Sequence, residues 1–321
     1  MLLHNQTQAI QRMNTLAKEG KDFFFIINYR ADSAYIEEFT NIDPRELLFS
    51  FPTLSNIPEV ESYSNEAVEW HTEPLTRDDY EHRINLVKQR EREGDSYLAN
   101  LTCKIPVHTN LSLHDIFMRS KALYRCWMKE KFVCFSPEIF VRINREGLIS
   151  SFPMKGTIDA TRPDAEKELM ENKKEAAEHA TIVDLIRNDL SMISEKVQVK
   201  RYRYVDHLTT NKGEILQTSS EITGQLPTDY RQNIGTLLFR LLPAGSITGA
   251  PKPRTMEIID EAEGYERDFY TGVMGCYSKG QLDSAVMIRF IDQDKNGQFH
   301  YKAGGGITAQ SNNDDEYKEV I

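Results

Sequence analysis

The sequence predicts an α+β protein whose antiparallel sheets are covered by helices on the outside. Predicted strands and helices follow one another in unequal blocks rather than in strict alternation, which favours antiparallel sheets. No GxGxxG segment follows a predicted strand, which disfavours a doubly wound nucleotide-binding fold. With 321 residues, the chain is long enough to bury a large core in one domain or in two.

The predicted strands are short apolar stretches between turn-forming residues. The clearest covers 23–28 and contains three consecutive phenylalanines. Three strands are expected within 131–152, separated at Ser136-Pro137 and at 144–147. Further strands are predicted over 97–107, 196–204, 214–226, 271–278, 281–291 and 298–303.

The predicted helices begin at capping residues or prolines. Thr76 is the expected N-cap of a helix that runs to residue 93, because Asp79 follows three residues on and Gly94 can end it. The longest predicted helix covers 163–190 and begins with Pro163. Further helices are predicted over 112–124, 230–242, 251–262 and 314–321.

Composition narrows the class of protein. The chain is 40% hydrophobic and 27% charged, as expected for a soluble enzyme, and its net charge of −10 argues against a nucleic-acid partner. None of the four cysteines has zinc-site spacing, so we expect buried thiols in a reducing cytoplasm. No signal peptide is visible, and the apolar runs are too short to span a membrane.

Two glycine-containing segments could hold an anionic ligand. Residues 245–252 combine two glycines, two hydroxyl residues and a lysine before a helix, whose first N–H groups suit an anion. The alternative is a tight loop that only caps the helix. Residues 304–306 are three glycines after a strand, which would let a ligand approach the backbone, unless they form only a flexible turn.

Charged residues supply candidates for chemistry. Glu171, Glu175 and Glu178 recur at helical spacing on the long helix, and Glu316 and Glu319 share a face of the last one. Solvated acidic faces are the plain alternative. Lys155 lies between an apolar residue and a glycine turn, where loss of water would lower its pKa and free its amine as a nucleophile. The alternative is an exposed loop lysine.

Taken in order, these motifs resemble those of the chorismate-utilising enzymes. That family includes anthranilate, aminodeoxychorismate, isochorismate and salicylate synthases. The resemblance runs from about Gly94 to the end of the chain. It rests on nine ordered blocks, at 94–97 with 100–102, 136–138, 153–157, 178 with 182–189, 245–252, 269–272, 288–289, 304–307 and 316–319.

The resemblance implies two stacked antiparallel sheets with an active site in the cleft between them. It implies one chorismate-binding domain over 1–321, with a short N-terminal part to about residue 75. Mg²⁺ would be bound by Glu178 and Glu319, with Glu316 as a further candidate, and Glu138 would protonate the departing C4 hydroxyl. The substrate-binding positions would be Ser246, Thr248, Gly249, Tyr270, Arg289, Gly304, Gly305 and Gly306.

Lys155 points to one branch of this family. Aminodeoxychorismate synthases resemble this sequence in a Pro-Ile-Lys-Gly-Thr block, here with Met154 for isoleucine, where the anthranilate and isochorismate enzymes usually have alanine. The resemblance implies that the lysine amine adds at C2 of chorismate, and that ammonia then displaces it at C4. The ammonia would come from a separate glutamine amidotransferase subunit, and the product would serve 4-aminobenzoate and folate synthesis.

Some positions depart from the family pattern. Leu98 replaces the usual glutamine, or the water-activating lysine of the hydroxyl-adding enzymes, and Glu221 replaces a threonine. The family's lysine one turn beyond Glu319 would lie past Ile321. The alternatives are an anthranilate synthase large subunit, an isochorismate or salicylate synthase, and a non-catalytic chorismate-binding subunit. Leu98 counts against the hydroxyl-adding enzymes, since leucine cannot serve as a base.

Overall fold

The computed structural model describes residues 1–59, 66–210 and 213–320. These residues form two antiparallel sheets packed face to face, with helices on both outer sides, and the predicted fold class is confirmed. The helices are α1 Gln6–Lys18, α2 Arg77–Arg92, α3 Leu113–Arg119, α4 Ala165–Glu171, α5 Lys173–Ser191, α6 Ile234–Arg240, α7 Lys252–Glu263 and α8 Asn313–Val320. None of them is long and apolar enough to cross a bilayer.

Nineteen strands make up the sheets within the described residues. In chain order they are β1 Leu3–His4, β2 Phe23–Ile27, β3 Ala34–Glu38, β4 Leu47–Phe51, β5 Leu54–Ser55, β6 Trp70–Thr72, β7 Leu98–Thr109, β8 Tyr124–Met128, β9 Phe132–Ser136, β10 Ile139–Ile143, β11 Leu148–Ser151, β12 Met154–Asp159, β13 Glu195–Thr210, β14 Gly213–Gln225, β15 Gly249–Ala250, β16 Val273–Ser278, β17 Gln281–Val286, β18 Phe290–Gln293 and β19 Phe299–Ile307.

Each sheet combines strands that are distant in the chain. The first sheet has the order β1-β3-β2-β16-β17-β10-β11-β14-β12, and β13 also pairs with β14. The second has the order β15-β7-β19-β18-β9-β8-β4-β5, and β6 also pairs with β7. Helices α1, α5 and α6 pack on the first sheet, while α2, α3, α7 and α8 pack on the second.

Strand β2 shows how the layers are held together. Successive side chains of a strand point to opposite faces. Phe24 therefore packs between the sheets, where its ring stacks on Phe49 of β4 with centroids 4.4 Å apart. Phe23 and Phe25 face the other way, into the core that α1 covers with Leu16. An unbroken apolar strand is thus explained by burial on both faces.

Several predicted helix boundaries are correct and others are not. Thr76 caps α2 and accepts a hydrogen bond from the Asp79 N–H, as predicted. The helix predicted over 112–124 ends at Arg119, because Tyr124 already begins β8. Residues 230–242 divide into a 3₁₀ turn and α6. Helix α8 reaches Val320, and the predicted end at Ile321 lies outside the described residues.

The long predicted helix is broken at Asn172. Helix α4 ends at Glu171, and Asn172 is extended, with φ −64° and ψ 108°. Its side chain accepts a hydrogen bond from the Glu175 N–H and so caps α5. The predicted stripe of three glutamates is therefore wrong for Glu171, which belongs to another helix than Glu175 and Glu178.

The predicted strand over 281–291 is in fact two strands in different sheets. Strand β17 ends at Val286 in the first sheet, and β18 begins at Phe290 in the second. Arg289 lies at the crossover with φ +53°. The apolar pattern continues through the crossover because Val286 and Phe290 are both buried, so the sequence alone gives no sign of the break.

A buried ion pair joins the second sheet to α7. Glu263, the last residue of α7, lies 2.6 Å from the guanidinium of Arg267, and both side chains are 1% exposed. Glu263 also accepts the backbone N–H of Thr102 on β7 at 2.7 Å. Arg267 donates to the carbonyl of Ile247 at 2.9 Å. The pair therefore ties the 245–248 turn to β7.

Replacing one partner should destabilise the protein strongly. Glu263→Gln leaves the Arg267 charge buried without its counter-ion, and we expect the free energy of unfolding to fall by about 3–5 kcal/mol. Urea denaturation followed by tryptophan fluorescence measures this. Glu261→Gln, which removes a half-exposed partner of Arg90, is the matched control and should cost about 1 kcal/mol at most. Equal stability of the two variants would contradict the anchoring role.

Candidate active site

A cavity of about 800 Å³ lies where β12 of the first sheet, β7 and β19 of the second sheet and α5 meet. Its wall combines segments more than 200 residues apart in the chain. The lining residues are Tyr97, Leu98, Asn100, Glu138, Pro153, Met154, Lys155, Lys173, Lys174, Ala177, Glu178, Thr181, Ile182, Ser246, Gly249, Gly306, Thr308, Ala309 and Gln310.

Six of the predicted site residues line this cavity. They are Glu138, Lys155, Glu178, Ser246, Gly249 and Gly306. The structure thus brings together residues from six of the nine sequence blocks, since Tyr97 and Asn100 of the first block also line the cavity. Gly306 belongs to β19 rather than to a flexible turn, since residues 304–306 pair in register with 100–102 of β7.

Lys155 is placed by a bulge in β12. The register of β12 against β14 shifts between Lys155 and Thr157, and Gly156 between them has φ +79°. A bulge re-aims the side chain next to it. The Lys155 carbonyl accepts a hydrogen bond from the Thr218 hydroxyl, while its Nζ lies 3.0 Å from Oε2 of Glu178.

The protonation of Lys155 differs from the prediction. Burial lowers the pKa of this amine, as expected, but the nearby carboxylates of Glu178, Glu175 and Glu316 outweigh burial and raise the pKa above its usual value. Loss of water alone therefore does not give Lys155 the expected low pKa. The physical reason is that two acidic helices, α5 and α8, converge on this lysine, which the sequence does not reveal.

Glu138 lies in an environment that raises the pKa of its carboxyl group. It lies between β9 and β10, deep in the protein, with part of its surface open to the cavity. Burial raises its pKa, although a hydrogen bond from the Ser246 hydroxyl at 2.5 Å to Oε1 and the charge of Lys155 act in the opposite direction. A carboxyl group with a raised pKa can act as a general acid near neutral pH.

Three glutamates gather beside the cavity. Glu178 of α5 and Glu316 of α8 have side chains that are 12% and 10% exposed, and Lys174 lies between them. Glu319 is exposed, and its carboxylate and that of Glu316 lie over Gly305, 3.7 and 3.8 Å from where a Cβ would be. Burial raises the pKa of Glu316, and the charge of Glu319 adds to this.

These glutamates suit an open site for a hard divalent cation better than a closed site formed by protein ligands alone. Within the described residues, no three His, Cys, Asp or Glu side chains are grouped closely enough to hold an ion alone. Mg²⁺ commonly uses one or two protein carboxylates and completes its octahedron with water or substrate oxygens. Partly buried carboxylates from two helices beside an open cavity meet that requirement.

Five other predicted residues do not line the cavity. Thr248 is fully buried behind it, and Tyr270 packs against Phe290 in the core between the sheets. Arg289 is exposed at the strand crossover. Gly304 and Gly305 lie on β19 one and two residues before Gly306. The two carboxylates of α8, Glu316 and Glu319, also lie beside the cavity rather than in its wall.

His179 is a positioning residue that the sequence reading did not single out. It follows Glu178 on α5, is fully buried, and its Nε2 lies 2.6 Å from the hydroxyl of Ser220 on β14. Burial and the charges of Arg203 and Lys155 lower its pKa to about 4, so the ring is neutral. His179 thereby joins α5 to the first sheet at the residue next to Glu178.

The two departures from the family pattern have different locations. Leu98 lines the cavity, where its Cδ1 would be 3.3 Å from a Cβ on Gly306. Glu221 lies on β14 away from the cavity wall and pairs with Lys200 and Arg201 of β13, at 2.9 and 3.1 Å. Only Leu98 is therefore positioned to influence what enters the cavity.

Known proteins resemble this chain over most of its length. The chain matches the chorismate binding enzyme family over residues 32–321. It is 44% identical to an uncharacterized PabA-like protein of Haemophilus influenzae over 317 residues, which cover 97% of this chain and 94% of the relative. It is 33% identical to anthranilate synthase component 1 of Acetivibrio thermocellus, over 91% of this chain and 61% of that protein.

Two further comparisons extend the range of relatives. Aminodeoxychorismate synthase component 1 of Bacillus subtilis is 30% identical over 77% of this chain and 54% of its own length. Among solved structures, a 2,3-dihydroxybenzoate-specific isochorismate synthase of Bacillus anthracis superposes with a TM-score of 0.72 at 18% identity, over 99% of this chain and 87% of the other. At that identity the likeness concerns the fold.

The glycines around the cavity should differ in their tolerance of a side chain. Gly249 has φ +123°, and a Cβ there would lie 1.8 Å from the Leu98 carbonyl, so Gly249→Ala should lose about 2 kcal/mol or more. In Gly305→Ala the Cβ meets no atom closer than 3.7 Å, and stability should change by about 0.5 kcal/mol at most. Thermal unfolding of both variants compares them. A stable Gly249→Ala protein would show that β15 is not held against β7 as described.

Proposed function

Because the chain belongs to the chorismate binding enzyme family, we propose that it is the chorismate-binding subunit of an aminodeoxychorismate synthase. In this reaction, chorismate and ammonia give 4-amino-4-deoxychorismate and water. The observation that carries the proposal is the Nζ of Lys155, which lies in the wall of the cavity beside the carboxylate of Glu178. A lysine at this position matches the amino-transferring branch that forms a covalent adduct.

The proposed roles follow from which groups face the cavity. The neutral amine of Lys155 bonds to C2 of chorismate while the C4 hydroxyl leaves as water, taking its proton from Glu138. Ammonia then bonds to C4, and the bond between C2 and the lysine nitrogen breaks. Since the nearby carboxylates, Glu178 first among them, favour the ammonium form of Lys155, this amine must lose a proton before it can bond to C2.

We propose Mg²⁺ as the cofactor, with Glu178 and one of the glutamates of α8, Glu316 or Glu319, as its protein ligands. When bound, the ion would neutralise and orient a carboxylate of the substrate. The other predicted substrate-binding groups remain part of the proposal: Ser246, Thr248, Gly249, Tyr270, Arg289, Gly304, Gly305 and Gly306. A separate glutamine amidotransferase subunit would supply ammonia, which agrees with the description of the Bacillus subtilis relative as component 1.

Anthranilate synthase is the second candidate function. The supporting observation is the 33% identity to an anthranilate synthase component 1 over 91% of this chain. That enzyme would use the same substrate and the same cavity but release pyruvate. Lys155 distinguishes the two candidates. A covalent lysine adduct is needed only in the aminodeoxychorismate synthase reaction, in which the nitrogen replaces the C4 hydroxyl.

The product of the reaction tests the proposed function directly. Purified chain incubated with chorismate, Mg²⁺ and an ammonium salt at alkaline pH should form aminodeoxychorismate, identified by mass spectrometry, without fluorescent anthranilate. Glutamine should not replace ammonium until a glutaminase subunit is added. Formation of anthranilate would establish the second candidate, and glutamine use by this chain alone would contradict the proposed partner.

A covalent adduct tests the role of Lys155. Without ammonia the adduct has no acceptor, so intact-protein mass spectrometry should show a species heavier by chorismate minus water, and peptide mapping should place it on Lys155. Lys155→Ala should give no adduct and lose at least about 100-fold in amination rate. Lys129→Ala, which removes a half-exposed surface lysine, is the control and should retain the adduct. Wild-type amination by Lys155→Ala would refute the covalent role.

A further inference from the structure

Lys174 lies between the two acidic helices of the site. Its Nζ is 3.8 Å from Oε1 of Glu178, one turn further along α5, and 3.9 Å from Oε1 of Glu316 on α8. It is thus a cation placed between one carboxylate from each helix. Without the positive charge of Lys174, the two partly buried carboxylates would repel each other more strongly, which is unfavourable.

Both oxygens of Glu178 face lysines in this structure. Lys155 lies 3.0 Å from Oε2, and Lys174 faces Oε1. The two lysines differ in freedom of movement. The Lys155 side chain is 28% exposed and arises from a strand, whereas that of Lys174 is 52% exposed and can turn outward into solvent. Of the two, Lys174 is the amine that can leave the carboxylates at little cost.

We propose that Lys174 is a positioning residue that holds Glu178 and Glu316 together and is displaced when a divalent cation binds between them. The inference rests on the proposed function, because it takes these glutamates as ligands of the cation. Lys174 and the cation compete for the same oxygen atoms. Lys174 therefore keeps the site assembled before the cation arrives, and lowers the affinity of the site for it.

The proposed competition predicts the direction in which the affinity for the cation changes when the charge of Lys174 is removed. Lys174→Met keeps most of the side-chain volume but removes the charge, so the cation no longer displaces an amine. We expect Mn²⁺, followed by its electron paramagnetic resonance signal and by calorimetry, to bind Lys174→Met roughly twofold to fivefold more tightly than wild type, as expected for weak, half-exposed ion pairs. Lys174→Arg should restore wild-type affinity.

Lys173→Met is the matched control. Lys173 precedes Lys174 on α5 and lines the same cavity, but within the described residues no ion pair joins it to Glu178 or Glu316. Its removal measures the general effect of one positive charge near the site. The inference requires that affinity increase more in Lys174→Met than in Lys173→Met.

Thermal unfolding gives a second readout that does not depend on turnover. With chelator, Lys174→Met should unfold at a lower temperature than wild type, because the carboxylates lose their bridging cation. The rise in unfolding temperature with saturating Mg²⁺ should be larger in the variant, as linkage requires of a ligand bound more tightly. Lys174→Arg should behave like wild type in both conditions.

The outcomes separate the inference from the proposed function. If wild type binds Mn²⁺ and Lys174→Met binds it equally or more weakly, the competitive role of Lys174 is refuted and the proposed cation site stands. If neither protein binds Mn²⁺ even with chorismate present, both the cation site and the inference are refuted. Tighter binding by Lys174→Met, together with wild-type behaviour of Lys174→Arg, establishes the competition.

Discussion

The buried pair of Glu263 and Arg267 is the constraint on which the cavity depends. Through it, the end of α7, the backbone of β7 at Thr102 and the carbonyl of Ile247 are fixed relative to one another. Ser246, the hydrogen-bond donor to Glu138, lies next to Ile247 in that turn. A charged pair excluded from water has few alternative arrangements, because each would leave a buried charge unsatisfied. The pair thus helps to place the hydroxyl group that donates a hydrogen bond to the general acid candidate.

The opposite wall of the cavity is held by a different kind of contact. His179 is neutral and buried against Ser220, which fixes the rotation of α5 about its axis. Since Glu178 precedes His179, its carboxylate is turned toward Lys155. A neutral ring suits this position, because a charged imidazolium beside Lys155 and Arg203 would be repelled. The catalytic candidates are therefore presented by two separately anchored walls, one from each sheet.

Charge balance links the structure of the site to its chemistry. Two lysines and at least three carboxylates meet at the mouth of the cavity, so negative charge is in excess there. This excess raises the pKa of Lys155 and so favours its ammonium form, which is not a nucleophile. Occupation of the carboxylates by a cation would change the balance and favour the neutral amine.

The sequence by itself determined the fold class, the capped start of α2 and the presence of Lys155, Glu138 and Glu178 in ordered motifs. Those features depend on local spacing and on residue type, and both can be read directly from the sequence. Tertiary structure alone decided the break at Asn172, the change of sheet after Val286 and the raised pKa of Lys155. It also decided the place of Lys174, since Glu316 lies 142 positions further along the chain. The change of sheet could not be predicted from local pattern, because apolar periodicity continues across it. The pKa of Lys155 could not be predicted either, because it depends on charges that other elements bring near.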